Sequence, residues 1–201
     1  MTAARDLPPR LAVASANPGK VNEYRRLLAG LAVELEAIAP DVVEDGVSYA
    51  ANAVLKAEAV ANATGLPALG DDSGLEIEPL GGFPGLHSAR LAPTQAERNR
   101  IVLERLAGLP RPWRARFVCA LAVAAPGRPT RVFIGRCEGE IVEPRPGGGF
   151  GYDPMFLVPE VGRTFSEMPP AEKDRWSHRG AAVRALRSSD VPAELGLRAI
   201  G

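Results

Sequence analysis

Residues 11–28, with the sequence LAVASANPGKVNEYRRLL, contain the pattern that decides the fold of this chain. The apolar run at residues 11–14 is typical of a buried strand, residues 15–20 are rich in turn-forming types, and residues 21–28 place apolar side chains at helical spacing. A strand, loop and helix in this order leave free backbone N–H groups and the positive end of a helix dipole beside Lys20, which favours an anionic ligand. The loop is not a Walker A motif, because its first Gly and the Ser or Thr after Gly-Lys are missing.

Helical and extended patterns alternate along the rest of the chain. Ser48 is the predicted N-cap of a second helix that Gly65 ends, and Thr94 with Glu97 forms a capping box before a third. The predicted helices after residue 28 cover residues 49–64, 95–107, 170–175 and 177–186. The predicted strands after residue 14 cover residues 66–69, 75–78, 117–124, 131–134 and 155–158. Because strands and helices intermingle and one hairpin is indicated, we predict an α/β fold with a mixed sheet flanked by helices.

Length and charge limit the classes of function. The chain has 201 residues, which suits a single domain over residues 1–201, with residues 1–10 as a loose N-terminal extension. Its 24 basic and 24 acidic residues balance, which disfavours a protein that coats nucleic acid or an anionic membrane. No apolar run approaches the ~20 residues of a membrane-spanning helix, and the start is not typical of a signal peptide. With two cysteines outside any metal-type spacing, a cytoplasmic globular protein is predicted.

Asp71-Asp72-Ser73-Gly74 is the strongest local indication of chemistry. Two adjacent carboxylates at the end of a buried strand repel each other, and burying them without a cation is costly. Mg²⁺ binds through a few carboxylates, water and substrate phosphate, so one carboxylate could hold the metal while the other deprotonates a water. The alternative is an ordinary turn, since these residue types are common in turns.

Two further segments contain candidate binding residues. Ser177 is a predicted N-cap, so His178 and Arg179 would project from the positive end of the last helix towards an anion or a base edge; the alternative is a pair of surface residues. Phe150 and Tyr152 flank a glycine in a glycine-rich loop, where one ring could stack on a base, with core packing as the alternative. The chain has 21 Arg but only three Lys, at positions 20, 56 and 173, where a compact ammonium could be required.

Six segments together resemble the inosine triphosphate pyrophosphatase family, and they occur in the family's order between residues 11 and 187. They are Ser15-Ala16-Asn17-Pro18-Gly19-Lys20 with Glu23, Asn52-Ala53-Val54-Leu55-Lys56-Ala57, Asp71-Asp72-Ser73-Gly74-Leu75, Leu80-Gly81-Gly82-Phe83-Pro84-Gly85 with Ser88-Ala89-Arg90, Gly149-Phe150-Gly151-Tyr152-Asp153-Pro154, and Glu172-Lys173 with Ser177-His178-Arg179-Gly180. Proteins of this family cleave non-standard purine nucleoside triphosphates to the monophosphate and pyrophosphate. Six ordered motifs are far more specific than any one of them.

The resemblance implies a fold, a cofactor and a set of site residues. It implies an elongated α/β fold of two lobes with the site in the cleft between them, usually as a homodimer, and Mg²⁺ as the cofactor. Asp72 would be the general base, and Glu44 with Asp72 would bind Mg²⁺, with Asp71 beside the metal. The residues it implies for the triphosphate are Ser15, Ala16, Asn17, Pro18, Gly19, Lys20 and Lys56, with Ser73 bordering the substrate. Those for the base and sugar are Phe150, Gly151, Tyr152, Asp153, Lys173, His178 and Arg179.

The reaction that this resemblance implies is Mg²⁺-dependent hydrolysis of dITP, ITP and XTP, which would keep deaminated purines out of DNA and RNA. Two departures from the family pattern are Ala51, where the family often has Glu, and His87, where it often has an aromatic residue. A related pyrophosphatase for modified or pyrimidine nucleotides is one alternative. A non-catalytic nucleotide sensor is another; it would need a degraded acidic site, whereas Glu44, Asp71 and Asp72 are all present.

Overall fold

The computed structural model describes residues 8–200 of the chain. Its strands are β1 (Arg10–Ala14), β2 (Leu31–Ala32), β3 (Glu34–Ile38), β4 (Ala68–Ile77), β5 (Trp113–Ala124), β6 (Arg131–Ile141), β7 (Phe156–Val158), β8 (Arg163–Thr164) and β9 (Arg198–Ala199). Its α-helices are α1 (Pro18–Leu27), α2 (Tyr49–Thr64), α3 (Gln95–Leu106), α4 (Pro170–Trp176), α5 (His178–Arg187) and α6 (Val191–Glu194). Residues 1–7 of the predicted N-terminal extension lie outside the described residues, and β1 begins at Arg10.

Seven of these strands form one mixed sheet in the order β3-β1-β4-β5-β6-β7-β8. β1 pairs in parallel with both β3 and β4, and the pairs from β4–β5 to β7–β8 are antiparallel. β2 and β9 form a separate antiparallel pair. The predicted α/β class, with a mixed sheet flanked by helices, is therefore confirmed. Among residues 8–200, no helix has both the length and the apolar character needed to cross a membrane.

Three apolar clusters pack on the long strands and define the two lobes. On one face, α1 and α5 cover a cluster that includes Tyr24 and Leu121. On the opposite face, α2 packs an alanine-rich surface onto the same strands, in a cluster that includes Ala57 and Ala120. At the other end of β4, β5 and β6, α3 covers a third cluster around Phe156. The first two clusters form one lobe and the third forms the other, so the two-lobed architecture that the resemblance implied is present.

Local capping signals set the helix ends. Ser48 accepts a hydrogen bond from the first turn of α2, and Gly65 ends this helix in the left-handed conformation (φ +70°), so the predicted bounds of residues 49–64 are correct. α1 begins at Pro18, earlier than predicted. The reason is that the Asn17 side chain caps this helix by accepting hydrogen bonds from two backbone N–H groups of its first turn, and Pro is favoured at the first helical position.

The prediction that Asp71-Asp72-Ser73-Gly74 ends a strand or forms a turn is wrong. β4 runs without interruption from Ala68 to Ile77 and pairs with β5 over this whole length. Since successive side chains of a strand point to opposite faces, Asp71 contacts α1 and α5 while Asp72 contacts α2. The sheet thus separates two carboxylates that are adjacent in sequence, and their partners come from elements that no local pattern reveals.

Two glycines allow helices to approach the sheet closely. A Cβ at Gly70 of β4 would collide with the carbonyl oxygen of Ala53 in α2. A Cβ at Gly135 of β6 would collide with the carbonyl oxygen of His178 in α5. The helix segments that present side chains to the candidate site therefore lie directly against strands.

We expect Gly135→Ala to destabilise the protein by about 1–3 kcal/mol, because the added methyl group must push the start of α5 away from β6. The measurement is the free energy of unfolding from chemical denaturation. Gly148→Ala is the matched control, since a Cβ at Gly148 meets no atom of residues 8–200 within 4 Å. Equal stability of the two variants would show that the position of α5 does not depend on this close contact.

Candidate active site

A cavity of about 360 Å³ lies where the two lobes meet. The end of β1, the loop before α2, the middle of β4, the loop around Phe150 and the start of α5 form its walls. It brings together most of the predicted site residues, namely Ser15, Ala16, Asn17, Lys20, Glu44, Lys56, Asp72, Ser73, Phe150, Gly151, Tyr152, Asp153, His178 and Arg179. Pro18, Gly19 and Lys173 are not among the residues that line it. Arg98 lines the cavity as well, although the sequence analysis gave it no role.

A larger groove, of about 910 Å³, lies on the exposed face of β4, β5 and β6. It contains none of the predicted site residues. One ion pair crosses it between neighbouring strands: Nε of Arg116 lies 2.7 Å from Oε2 of Glu76. The smaller cavity, where charged groups from several elements converge, is therefore the candidate active site.

The start of α1 forms one end of the cavity. Oδ1 of Asn17 accepts hydrogen bonds from the N–H groups of Gly19 (2.9 Å) and Lys20 (3.3 Å), which orders the first helical turn. Phe150 packs over Gly19, where a Cβ would lie only 2.6 Å from the ring. The helix dipole and the Lys20 ammonium make this end of the cavity suited to an anion.

Asp72 lies on β4 and faces two side chains of α2. Its Oδ2 accepts a hydrogen bond from Nδ2 of Asn52 (3.0 Å), and its Oδ1 lies 3.5 Å from Nζ of Lys56. Burial raises the pKa of the Asp72 carboxyl above its ordinary value, while Lys56 and Asn52 act in the opposite direction. A carboxylate whose pKa is raised is better suited to accept a proton near neutral pH.

Glu44 faces the same ammonium from the loop before α2. Its Oε2 lies 3.3 Å from Nζ of Lys56, so the carboxylates of Glu44 and Asp72 approach each other around this lysine. Within residues 8–200, no three or more His, Cys, Asp or Glu side chains are grouped as a metal site. Mg²⁺ needs no such cage, since it usually keeps several waters and binds through one or two carboxylates and substrate phosphates. Glu44 and Asp72 therefore offer a suitable donor set for Mg²⁺.

Asp71 is a buried anion that organises the opposite face of β4. Its carboxylate accepts hydrogen bonds from Nζ of Lys20 (2.5 Å), Nε of Arg179 (2.8 Å) and the hydroxyl of Tyr24 (2.6 Å). Burial alone would raise the pKa of Asp71, but Arg179 and Lys20 hold it well below its usual range. Side chains of α1 and α5 donate hydrogen bonds to both carboxylate oxygens of Asp71. Asp71 therefore lies apart from the group formed by Glu44, Lys56 and Asp72.

A run of buried ion pairs connects α5 to the loop around Phe150. Nη1 of Arg179 lies 3.0 Å from Oε2 of Glu23, and Nζ of Lys173 lies 2.7 Å from Oε1 of the same carboxylate. Lys173 also lies 2.6 Å from Oδ2 of Asp153, and this oxygen accepts a hydrogen bond from the Phe150 N–H (2.8 Å). The structure therefore places Lys173 behind the cavity, where it supports the loop that forms the wall.

No role was predicted from the sequence for Glu23 or Asn52, although both were part of the segments that carried the resemblance. Both side chains are buried, with 3% of Glu23 and 0% of Asn52 exposed. The available signal was position: Glu23 is one turn after Lys20 on α1, and Asn52 is one turn before Lys56 on α2. A polar side chain on the same helix face as a predicted ligand is a candidate partner of the site.

His178 forms the wall of the cavity at the start of α5. Its ring stacks on Phe117, with the ring centroids 4.7 Å apart and the planes at 11°. Ser177 caps this helix as predicted, by accepting a hydrogen bond from the Gly180 N–H (3.0 Å). Burial, assisted by the charge of Arg179, lowers the pKa of His178 well below 6.5, so the imidazole is neutral at pH 7. Its Nδ1 has no hydrogen-bond partner within residues 8–200.

We expect His178 to make the protein less stable as the pH falls below about 6.5, the ordinary pKa of histidine. The unfolded chain binds a proton at His178 in this range and the folded chain does not, so stability rises with pH there, by at most about 1.4 kcal/mol per pH unit. His178→Gln should remove this contribution between about pH 5 and 6.5, as measured by the free energy of unfolding. His87→Gln, at an exposed position, is the control, and equal slopes in both variants would contradict the prediction.

The fold and the cavity together define an α/β protein with a candidate active site built from a capped helix start, two approaching carboxylates and a neutral imidazole. Residues 11–189 match the model of the Ham1 family, and the chain belongs to this family. The family resemblance predicted from the six sequence segments is thereby confirmed.

Similar proteins are known from several bacteria. A dITP/XTP pyrophosphatase of Gloeobacter violaceus is 50% identical over 181 residues, which cover 89% of this chain and 92% of that protein. A dITP/XTP pyrophosphatase of Thermus thermophilus is 50% identical over 185 residues, which cover 88% of this chain and 89% of that protein. The solved structure of a HAM1 protein from Coxiella burnetii matches with a TM-score of 0.81 and 40% identity, over 92% of this chain and 99% of that one.

Proposed function

We propose that this chain is a nucleoside triphosphate pyrophosphatase that hydrolyses dITP, ITP and XTP to the monophosphate and pyrophosphate. The observation that carries the proposal is the environment of Asp72: a buried carboxylate with a raised pKa that lies beside Lys56, opposite Glu44, in a cavity that ends at the start of α1. Two relatives that are 50% identical over most of the chain are named dITP/XTP pyrophosphatases, which supports the same activity here.

In the proposed reaction, Asp72 accepts a proton from the water that attacks the α-phosphorus. Asn52 holds the carboxylate by a hydrogen bond to Oδ2, which leaves Oδ1 on the side of Lys56. Negative charge develops on the departing pyrophosphate, and the ammonium groups of Lys20 and Lys56 stabilise it together with the start of α1. General base catalysis of this kind contributes about 10²–10⁴-fold to a rate.

Mg²⁺ is the proposed cofactor, and Glu44 with Asp72 would hold it. Bound there, the ion would polarise phosphate oxygens and lower the pKa of a bound water. Lys56 lies within 3.5 Å of both carboxylates, so it offsets part of their mutual repulsion in the protein without metal. Its ammonium also supplies a positive charge for the phosphates.

Selection of the base is proposed to depend on donors that face the 6-keto oxygen of hypoxanthine or xanthine. Among residues 8–200, Asp71 accepts a hydrogen bond from Nε of Arg179 and Glu23 accepts one from Nη1, which leaves the N–H groups of Nη2 and the second N–H of Nη1 for a ligand. Adenine has an amino group in place of the keto oxygen, and donors from Arg179 and His178 would then be unpaired. A site that must hydrogen-bond one group can reject an analogue without it by about 10⁴-fold.

Phe150 is the proposed aromatic partner of the base. The hydroxyl of Tyr152 donates a hydrogen bond to the carbonyl oxygen of Ser88 (2.9 Å), and 4% of Tyr152 is exposed, so its ring belongs to the core. The ring of Phe150 lies at the cavity wall above Gly19 and 4.8 Å from Nζ of Lys173. Of the two rings, one of which was predicted to stack on the base, Phe150 therefore has the better position.

We also propose that the protein acts in the cytoplasm as a homodimer. Its role would be to remove deaminated purine nucleotides before they are incorporated into DNA or RNA. The balanced charge of 24 basic and 24 acidic residues supports a free nucleotide as the substrate, rather than nucleic acid or a membrane surface as the partner.

The test compares kcat/KM for ITP, dITP, XTP, ATP, GTP, CTP and dUTP, and for a methylated pyrimidine nucleotide, in Mg²⁺ and in EDTA. We expect turnover of the first three, with ATP slower by about 10⁴-fold, and no turnover in EDTA. A modified or pyrimidine nucleotide as the best substrate would indicate a related pyrophosphatase instead. Tight nucleotide binding without turnover in Mg²⁺ would indicate a sensor.

A further inference from the structure

Asn52 connects two parts of the cavity that are distant in sequence. Its Nδ2 donates a hydrogen bond to Oδ2 of Asp72 (3.0 Å), and its Oδ1 accepts one from the backbone N–H of Gly46 (2.8 Å). The side chain is fully buried in the first turn of α2. Because the carboxylate requires a donor and the backbone N–H requires an acceptor, these two contacts fix the orientation of the amide.

The loop that Asn52 holds is the one that carries Glu44. Residues 39–48 contain no helix or strand, and Val43 and Val47 expose 79% and 93% of their surface, so apolar packing contributes little to the position of this loop. Polar contacts hold it instead. Nη1 of Arg90 donates to the carbonyl oxygen of Glu44 (3.0 Å), and Asn52 accepts from Gly46 on the other side.

The chain leaves no space between Gly46 and Asn52. A Cβ at Gly46 would lie 2.5 Å from Oδ1 of Asn52 and 2.9 Å from its backbone nitrogen. The loop can therefore approach the start of α2 closely enough for this hydrogen bond only because residue 46 is glycine. The same approach brings Glu44 to within 3.3 Å of Lys56, one turn further along α2.

We propose that Asn52 is a positioning residue that fixes the Asp72 carboxylate and the Glu44 loop relative to each other, an inference that rests on the proposed pyrophosphatase reaction. Asn52 is not among the residues that line the cavity; it orients Asp72 and holds the segment that carries Glu44. An error of about 1 Å in such an arrangement costs about 10²-fold in rate. The amide is required because a residue that only donates or only accepts would satisfy one of the two partners.

Two variants separate the two contacts. Asn52→Ala removes both, so we expect exchange of the Gly46 amide hydrogen to accelerate about tenfold and kcat for dITP to fall about 10²-fold. Asn52→Asp keeps an acceptor for Gly46 but places a carboxylate against Asp72, and like charges at this distance repel. We therefore expect the Gly46 amide hydrogen of this variant to exchange as slowly as in the unmodified protein, while kcat falls as much as in Asn52→Ala. KM should change by less than about threefold, because neither the start of α1 nor the part of the cavity proposed to hold the base is altered.

Hydrogen exchange is measured on the full chain without nucleotide or metal, and kcat and KM with dITP and Mg²⁺. Ser48→Ala is the matched control. It removes the N-cap hydrogen bond of the same helix, in which Oγ of Ser48 accepts from the backbone N–H of Ala51 (3.1 Å). We expect it to lower Tm by about 2–4 °C with normal kcat and normal Gly46 exchange.

Unchanged Gly46 exchange in Asn52→Ala, or normal kcat in Asn52→Asp, would overturn the inference. Loss of kcat in Ser48→Ala equal to that in Asn52→Ala would also overturn it, since a general weakening of α2 would then explain both. Absence of dITP turnover by the unmodified chain would contradict the proposed function, whereas the exchange result tests the link between Asn52 and the loop independently of turnover.

Discussion

Asp72→Asn is expected to lower kcat for dITP by about 10³-fold or more, because the amide cannot accept a proton from water. The substitution preserves shape, and an amide oxygen can still accept the hydrogen bond from Asn52. Burial already disfavours the charged form of Asp72, as its raised pKa shows, so a neutral side chain should not destabilise the fold. The measurement is the rate of pyrophosphate release at saturating dITP, together with the free energy of unfolding.

Glu76→Gln is the control for a carboxylate on the same strand, since Glu76 pairs with Arg116 on the exposed sheet face outside the cavity. We expect this variant to retain normal kcat. If Asp72→Asn kept a rate within tenfold of the unmodified protein, Asp72 would not be the base, and the mechanism proposed from its environment would be incorrect.

Arg179→Met is expected to destabilise the protein by about 3–5 kcal/mol, the usual cost of removing one partner from a buried ion pair. Arg179 is 4% exposed and contacts two buried carboxylates, those of Asp71 (2.8 Å) and Glu23 (3.0 Å). Met has a similar volume but no charge, so both carboxylates lose a cation that water cannot replace. The measurement is the free energy of unfolding from chemical denaturation at neutral pH.

Arg26→Met is the matched control, because Arg26 pairs with Asp174 (2.8 Å) at a more exposed position between α1 and α4. An exposed pair of this kind contributes at most about 1 kcal/mol. Adding Glu23→Gln to Arg179→Met should recover part of the loss, since it removes one of the two carboxylates that lose the Arg179 charge. A loss below 1 kcal/mol in Arg179→Met would show that Lys20, Tyr24 and Lys173 neutralise the two carboxylates without it.

Local signals predicted much of the fold correctly. The bounds of α2 followed from Ser48 and Gly65, because an N-cap hydroxyl and a left-handed glycine act within one helical turn. The mixed α/β class followed from the alternation of helical and extended patterns. β4 was not predicted as one strand, because the groups that permit its buried carboxylates, such as Lys20 and Arg179, are 51 and 108 residues away in sequence.

The candidate site was predicted as a set of residues but not as an arrangement. The family resemblance gave the residues that line the cavity, and most of them meet there. It could not show that Asp71 and Asp72 face opposite sides of the sheet, since this follows only once β4 is known to be continuous. Nor could it show that Lys173 supports the loop from behind, because its contacts with Glu23 and Asp153 depend on how α4 packs.

The most direct test of the account is the identity of the products from dITP in Mg²⁺, followed over the first turnovers. Attack at the α-phosphorus, with Asp72 as the base and Lys20 and Lys56 beside the leaving group, predicts deoxyinosine monophosphate and pyrophosphate in equal amounts and no free phosphate. Deoxyinosine diphosphate with inorganic phosphate would show that the bond between the β- and γ-phosphates is cleaved, and would contradict the assigned roles of these three residues.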